Sequence, residues 1–213
     1  DNDWQNYALP VECRDVIELL DHLGLDKVAI LGTSRGGLNA MGLAAGAKDR
    51  LLGVALNDVG PYIDPKGLDF IRHYIGRNPA AKTHAEAAAA MARAFPEFED
   101  VPESRWLEEA VKHYTATPEG LQITYDPKLR QAVEAASDGP MPDLWPFFDA
   151  MAGLPIACIR GANSNLLSAE TLAEMQARRH CMITGVVQGR GHSEFLEDPV
   201  AVVPLHKWSE ARP

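Results

Sequence analysis

Apolar positions along the chain switch repeatedly between strand-like and helix-like spacing. Pro10 suits a helix start, and Cys13, Val16, Ile17, Leu20 and Leu23 then recur on one helical face until Gly24 closes the run. Residues 1–9, polar and aromatic, carry no regular pattern. Residues 27–31 predict a buried strand, followed by a Gly-rich turn and a small-residue helix over 36–47 that can pack closely on a sheet. A second strand is expected over 51–57, broken at Asp58-Val59-Gly60-Pro61. Two more are expected over 155–160 and 182–187, separated by a loop over 161–167 and a helix that Ser168 caps and that carries Leu172 and Met175. A loop over 188–195 precedes Asp198-Pro199, which open a last helix; Pro204 inside it predicts a kink or a late start. Strands alternating with helices predict an α/β fold with a mostly parallel sheet.

Residues 61–147 break this rhythm and show no strand pattern. Thr83-His84-Ala85-Glu86 fits a capping box before an Ala-rich helix that runs to Phe95. Asp100, Pro102 and Glu103 can open another, with Trp106, Leu107, Ala110, Val111 and Tyr114 along one side. Phe70, Ile71, Tyr74 and Ile75 suggest a third. The expected organisation is a core of residues 1–60 and 148–213 with a helical insertion, 61–147, lying over it.

Composition narrows the function classes. With 46% apolar and 23% charged residues the chain is globular, and 213 residues can bury one core. A formal net charge of −10 lacks the basic face that nucleic acid or an anionic membrane requires. No apolar run approaches the ~18–20 residues of a membrane span, and no signal-peptide pattern is present. The three cysteines, Cys13, Cys158 and Cys181, lack metal-ligand spacing and read as small buried hydrophobes of a reducing compartment, so a cytoplasmic location is expected. The seven histidines form no His-x-x-x-His pair, so neither a metal nor another cofactor is expected.

The chemistry centres on Gly32-Thr33-Ser34-Arg35-Gly36 between the first strand and its helix. As a bare pentapeptide this is equally an ordinary Gly-rich loop. In a strand-turn-helix context it is a nucleophile elbow: the sharp turn strains Ser34 and presents its hydroxyl, and Gly32 and Gly36 leave room for close approach.

The chain resembles the α/β-hydrolase family in its form with a helical cap, over nearly all its length and on three separated motifs. These are the elbow, the loop Arg160-Gly161-Ala162-Asn163-Ser164-Asn165, and Gly191-His192 after the last strand. Their order matches the family's nucleophile, acid and histidine. The resemblance implies Ser34 as nucleophile, His192 as its base and the Arg35 N–H as an oxyanion donor, with no cofactor. The family's acid position falls on Asn165, a neutral amide that can orient an imidazole but cannot stabilise imidazolium by charge. The resemblance therefore implies an impaired triad; the equivalent change in a serine protease costs about 10⁴ in turnover. Asp58 is the alternative acid, because some family members take theirs after that strand; on its own it reads as a turn former. Trp106 and Tyr114 are candidate substrate-binding residues, against the plainer reading of cap core.

The family has further strands before the elbow strand, and a His-Gly-type loop there supplies a second oxyanion donor. Only one helix precedes the elbow strand here, so the chain is expected to lack that N-terminal part. One edge of the elbow strand would then lie bare unless a second chain, a homo-oligomer or further residues cover it. The implied activity is hydrolysis of carboxylic esters of small or medium apolar acids through an acyl-enzyme. The partners are small molecules, without nucleic acid or membrane. A serine elbow also serves carbon–carbon bond hydrolases, acyl transferases and cyanohydrin lyases, while it argues against branches that use an Asp nucleophile. The alternative is a non-catalytic, receptor-like homologue that binds a ligand in the same pocket.

Overall fold

Along the chain, the computed structural model runs α1 (Leu9–His22), β1 (Val28–Thr33), α2 (Arg35–Gly46), β2 (Leu51–Asn57), α3 (Pro65–Tyr74), α4 (His84–Ala94), α5 (Glu103–His113), β3 (Tyr114–Thr117), β4 (Gly120–Ile123), α6 (Leu129–Ser137), α7 (Trp145–Ala150), β5 (Ile156–Gly161), α8 (Ala169–Arg178), β6 (Ile183–Val187) and α9 (Pro199–Glu210). The structure describes residues 3–137, 141–193 and 195–211. Where the expectations for the N-terminal segment, the insertion and the histidine loop touch residues 1–2, 138–140 and 194, they lie outside the described residues.

The four expected strands form one parallel sheet in the order β1-β2-β5-β6. Parallel register aligns their carboxyl ends: Thr33 pairs with Asn57, Asn57 with Ile159, and Gly161 with Val187. The ladder runs one step past the strands, where Ser34 N–H donates to Asn57 O at 3.1 Å and Asp58 N–H to Ile159 O at 2.8 Å. Every loop that carries candidate chemistry therefore leaves the same end of the sheet, where open α/β sheets bind ligands.

The main core lies between the sheet and α2, α7 and α8, with Met41, Leu56, Phe148, Met151 and Met175 all but inaccessible. β2 is buried along nearly its whole length, as a central parallel strand should be. β1 is more exposed: Leu31 remains 45% accessible, and β1 pairs only with β2 among the described residues. Leu23, expected on the buried face of α1, is exposed beyond the helix end, which Gly24 closes at a φ of +67°. Asp198 caps α9, which begins at Pro199 and runs through Pro204 without the late start allowed for above. Of the cysteines, Cys158 is buried, Cys13 is partly buried and Cys181 is exposed.

The insertion departs from expectation in two ways. It is not all helical: β3 and β4 form an antiparallel hairpin across Pro118-Glu119, with Thr117 paired to Gly120. Four-residue strands divided by a Pro leave too short an alternation to read against the helical pattern around them. The second departure concerns α5, whose Leu107 and Val111 point to solvent while Trp106 and Ala110 are buried. Tyr114 begins β3 instead of ending that helix. Thr83 accepts from Glu86 N–H at 3.2 Å, as the capping box requires.

Trp106 lies at the centre of a hydrophobic core built mostly by the insertion, which supports the plainer reading of it. It is 5% exposed and packs with Ala87, Ala88, Ala110 and Leu121. Phe95 stacks on it at 6.2 Å between centroids, and Phe98 and Phe195 meet it edge-on. Removing so large a buried ring leaves a cavity that the surrounding rings cannot fill by small shifts. Trp106→Ala is therefore expected to cost about 3–5 kcal/mol in a urea unfolding titration; a change below about 1 kcal/mol would contradict the core assignment.

Candidate active site

The elbow is built as its sequence requires. Ser34 sits at a φ of 49° and a ψ of −116°, a conformation that non-glycine residues avoid and that surrounding packing must enforce. A Cβ on Gly32 would lie 2.5 Å from the backbone of Gly36 and Gly37, so only glycine fits. Gly36, the other motif glycine, faces open space; the second tight position is Gly37, where a Cβ would strike Val59 and crowd Leu56. Arg35 and Gly36 open α2, so their N–H groups lack intrahelical acceptors and mark the helix's positive end. The Arg35 guanidinium turns away: its Nε donates to both carboxylate oxygens of Glu12 on α1, and Nη2 donates to the Tyr7 carbonyl. Glu12 also accepts from Asn39 at 3.0 Å.

His192 lies between Ser34 and Asp58. Its Nε2 is 3.0 Å from Ser34 Oγ, and its Nδ1 is 2.8 Å from Asp58 Oδ2. A carboxylate can only accept, so Nδ1 carries the proton and the neutral ring presents Nε2 as acceptor to the Ser34 hydroxyl. Asp58 is completely buried, at a φ of 53°. Its Oδ1 accepts from Gly161 N–H at 2.9 Å, and its Oδ2 also accepts from Ser164 Oγ at 2.6 Å. The side chain of His192 is 12% exposed and Ser34 is partly exposed, so the chain of contacts is sealed at Asp58 and accessible at the serine end. Such an arrangement can move a proton from Ser34 to His192 while a fixed negative charge faces the imidazolium that forms.

This corrects the expected acid. Asn165 stands in the right place in the motif order, but the group facing His192 Nδ1 is Asp58, the alternative, at the end of β2, which adjoins β5 in the sheet. Asn165 lies instead with its backbone carbonyl against Gly67 at the start of α3, where a Cβ on that glycine would not fit. Its neutral side chain thus leaves the His192–Asp58 pair intact. Tyr114 is half buried in the insertion's core, and burial pushes its phenol above the usual tyrosine range. The sequence reading missed Ser164 and the Gly161 N–H. Nothing in Gly161-Ala162-Asn163-Ser164 marks either as a partner of Asp58; only the pairing of β2 with β5 brings them together. Among the described residues no cluster of His, Cys, Asp and Glu could hold a metal ion. None of their helices is long and apolar enough to cross a membrane.

A doubly wound parallel sheet, a strained serine between strand and helix, and a histidine reaching it from the last sheet loop together define a hydrolase of the α/β type. The alpha/beta hydrolase family profile matches residues 1–205, and the chain belongs to that family. It is 34% identical over 212 residues to the 3-hydroxybutyrate-oligomer hydrolase of Cupriavidus necator, covering 95% of this chain and 72% of that protein. The crystal structure of an alpha/beta hydrolase from Novosphingobium aromaticivorans superposes with a TM-score of 0.90 at 32% identity, over 99% of this chain and 74% of that one. An esterase from Mycobacterium tuberculosis shares the fold with a TM-score of 0.67 at 21% identity, over 96% and 68% of the two chains.

The geometry sets opposite expectations for the two acid candidates. Asp58→Asn is expected to lower hydrolytic turnover by about 10⁴, through loss of the charge and of the correct imidazole tautomer. Asn165→Asp is expected to change it by no more than a few-fold. Steady-state kinetics of both variants on one ester substrate decide between them; a large gain from Asn165→Asp would restore the motif-order assignment.

Proposed function

We propose that the protein is a serine hydrolase of carboxylic esters that works through an acyl-enzyme. The observation that carries this reading is the continuous hydrogen-bond chain from Ser34 through His192 to Asp58. Ser34 Oγ attacks the ester carbonyl as His192 Nε2 takes its proton. The Arg35 N–H, at the positive end of α2, donates to the oxyanion that develops. The tetrahedral intermediate collapses to acyl-Ser34, and His192 returns the proton to the departing alkoxide. Water then attacks the acyl carbon with His192 as base, and collapse frees the carboxylic acid and Ser34. Asp58 keeps Nδ1 protonated throughout and offsets the imidazolium charge.

The substrates supported best are esters of short acids. Identity of 34% to a 3-hydroxybutyrate-oligomer hydrolase puts short oligoesters of hydroxy acids first among the compounds to test. On this reading Asn165 does not impair the enzyme, because the buried Asp58 carboxylate supplies the charge that an amide at 165 lacks.

The test is turnover of a p-nitrophenyl ester series and of linear 3-hydroxybutyrate oligomers by the unmodified chain and by Ser34→Ala. Ser34→Ala is expected to lose at least about 10⁴ of the activity, given what removing a triad nucleophile costs elsewhere. A fluorophosphonate probe is expected to label the unmodified chain and not the variant. Equal hydrolysis by the two proteins would overturn the serine mechanism. Activity on the p-nitrophenyl esters without activity on the oligomers would overturn the oligoester assignment alone.

A further inference from the structure

We propose that Ser164 is a positioning residue for the proposed hydrolysis: its hydroxyl fixes the Asp58 carboxylate in the orientation that His192 requires. The inference rests on the roles of Ser34, His192 and Asp58 given above and adds a member to them.

The argument is one of satisfied valences. A serine hydroxyl has one proton to donate and two lone pairs with which to accept. Ser164 Oγ accepts from the backbone N–H groups of Leu166 at 3.2 Å and Leu167 at 3.1 Å. Both lone pairs are then filled, and the proton has one remaining direction, toward Asp58 Oδ2 at 2.6 Å. That length is typical of an O–H donor on a charged oxygen. Oδ2 is the same oxygen that faces His192 Nδ1, while Oδ1 is held by Gly161 N–H. Without Ser164 the carboxylate keeps Gly161 N–H on Oδ1 and His192 on Oδ2, but the buried Oδ2 loses one of its two donors and only the mobile imidazole then sets its direction. Leu166 is 3% exposed and Leu167 fully buried, so the loop presenting the hydroxyl is itself anchored in the core. Ser164 therefore acts on Asp58 from the loop where the family resemblance had placed the acid itself.

The experiment measures kcat and KM on one p-nitrophenyl ester for Ser164→Ala, Ser164→Thr, Asp58→Asn and the double variant Ser164→Ala/Asp58→Asn. It also records the low-field proton NMR signal of the His192 Nδ1–H for the unmodified chain, Ser164→Ala and Ser164→Thr. Ser164→Ala is expected to lower kcat about tenfold to a hundredfold, the range for losing one hydrogen bond to a charged group. KM should stay unchanged, because Ser164 acts on Asp58 and does not touch substrate. The Nδ1–H resonance should shift in Ser164→Ala, and Ser164→Thr, which keeps the hydroxyl, should restore both readouts. In the Asp58→Asn background, Ser164→Ala should cost almost nothing more, since the group it positions is gone. An equal cost in both backgrounds would show that Ser164 only braces its loop and would overturn the proposal; so would an unmoved resonance in Ser164→Ala. If the chain hydrolyses no ester, the functional reading fails by itself, and the NMR signal still decides whether Ser164 governs the Asp58–His192 contact.

Discussion

A carboxylate sealed from water must have its charge met by donors inside the protein, and in this chain that requirement falls on Asp58. Three donors converge on it from three places in the sequence: the Gly161 N–H at the end of β5, the Ser164 hydroxyl just beyond, and His192 beyond β6. Each arrives because the sheet is in register. A strand rises about 3.3 Å per residue and its side chains alternate between faces. Slipping β5 by one residue against β2 would carry Gly161 N–H out of reach and turn Cys158 and Ile159 toward the wrong faces of the sheet. The buried charge and the hydrophobic register thus enforce each other, and leaving the charge unmatched would cost more than a slip could recover.

The same end of the sheet concentrates backbone strain. Among the described residues, the non-glycine ones with positive φ are Ser34, Asp58, Asp100, Ser193 and Leu196. Ser34 and Asp58 belong to the hydrogen-bonded chain, and Ser193 and Leu196 follow His192 in its loop. Asp100 ends the turn that grips that loop from the insertion: Glu99 N–H donates to Gly189 O, Arg190 donates back to Glu99 O, and Asn163 reaches Glu97 O. Strain of about 1–3 kcal/mol per such residue persists only where neighbours over-determine the backbone, and here the neighbours are visible.

How far the sequence could be read follows from how local each signal is. Ser34 was legible because strand, turn and helix are contiguous around it. His192 was legible as the histidine after a last strand. For the acid the sequence offers Asn165 first and Asp58 only as the alternative, and the structure reverses that ranking, because motif order ranks loops by position in the chain, whereas His192 meets its partner by position in the sheet. β5 and the loop after it do adjoin the site, but they supply a hydroxyl and an N–H to a carboxylate held at the end of β2. The parallel core was readable from alternation in long segments. The β3–β4 hairpin, four residues a side, fell below the length at which alternation can be told from the flanking helical period. The helix α5 shows a different limit: helical spacing groups Trp106 and Ala110 with Leu107 and Val111, but only the first two are buried, and spacing does not tell whether a buried ring lines a core or a pocket.

The insertion's core bears directly on the histidine loop. Phe195, three residues past His192, packs on Phe98 at 5.1 Å and meets Trp106 edge-on, with the Arg105 guanidinium 4.1 Å from its ring centre. Arg105 also pairs with Glu109 on its own helix and with Glu197 in the same loop. Two positive-φ residues in that loop cost about 2–6 kcal/mol together. Burying a phenylalanine side chain contributes about 1.5–3 kcal/mol, and each aromatic pair about 0.5–1.5 more. The terms are of one size, so the conformation that brings Nε2 to Ser34 is balanced by packing from the insertion as well as by β6. Loosening the aromatic cluster would therefore reach the imidazole through Phe195, without any change to Ser34, Asp58 or His192 themselves.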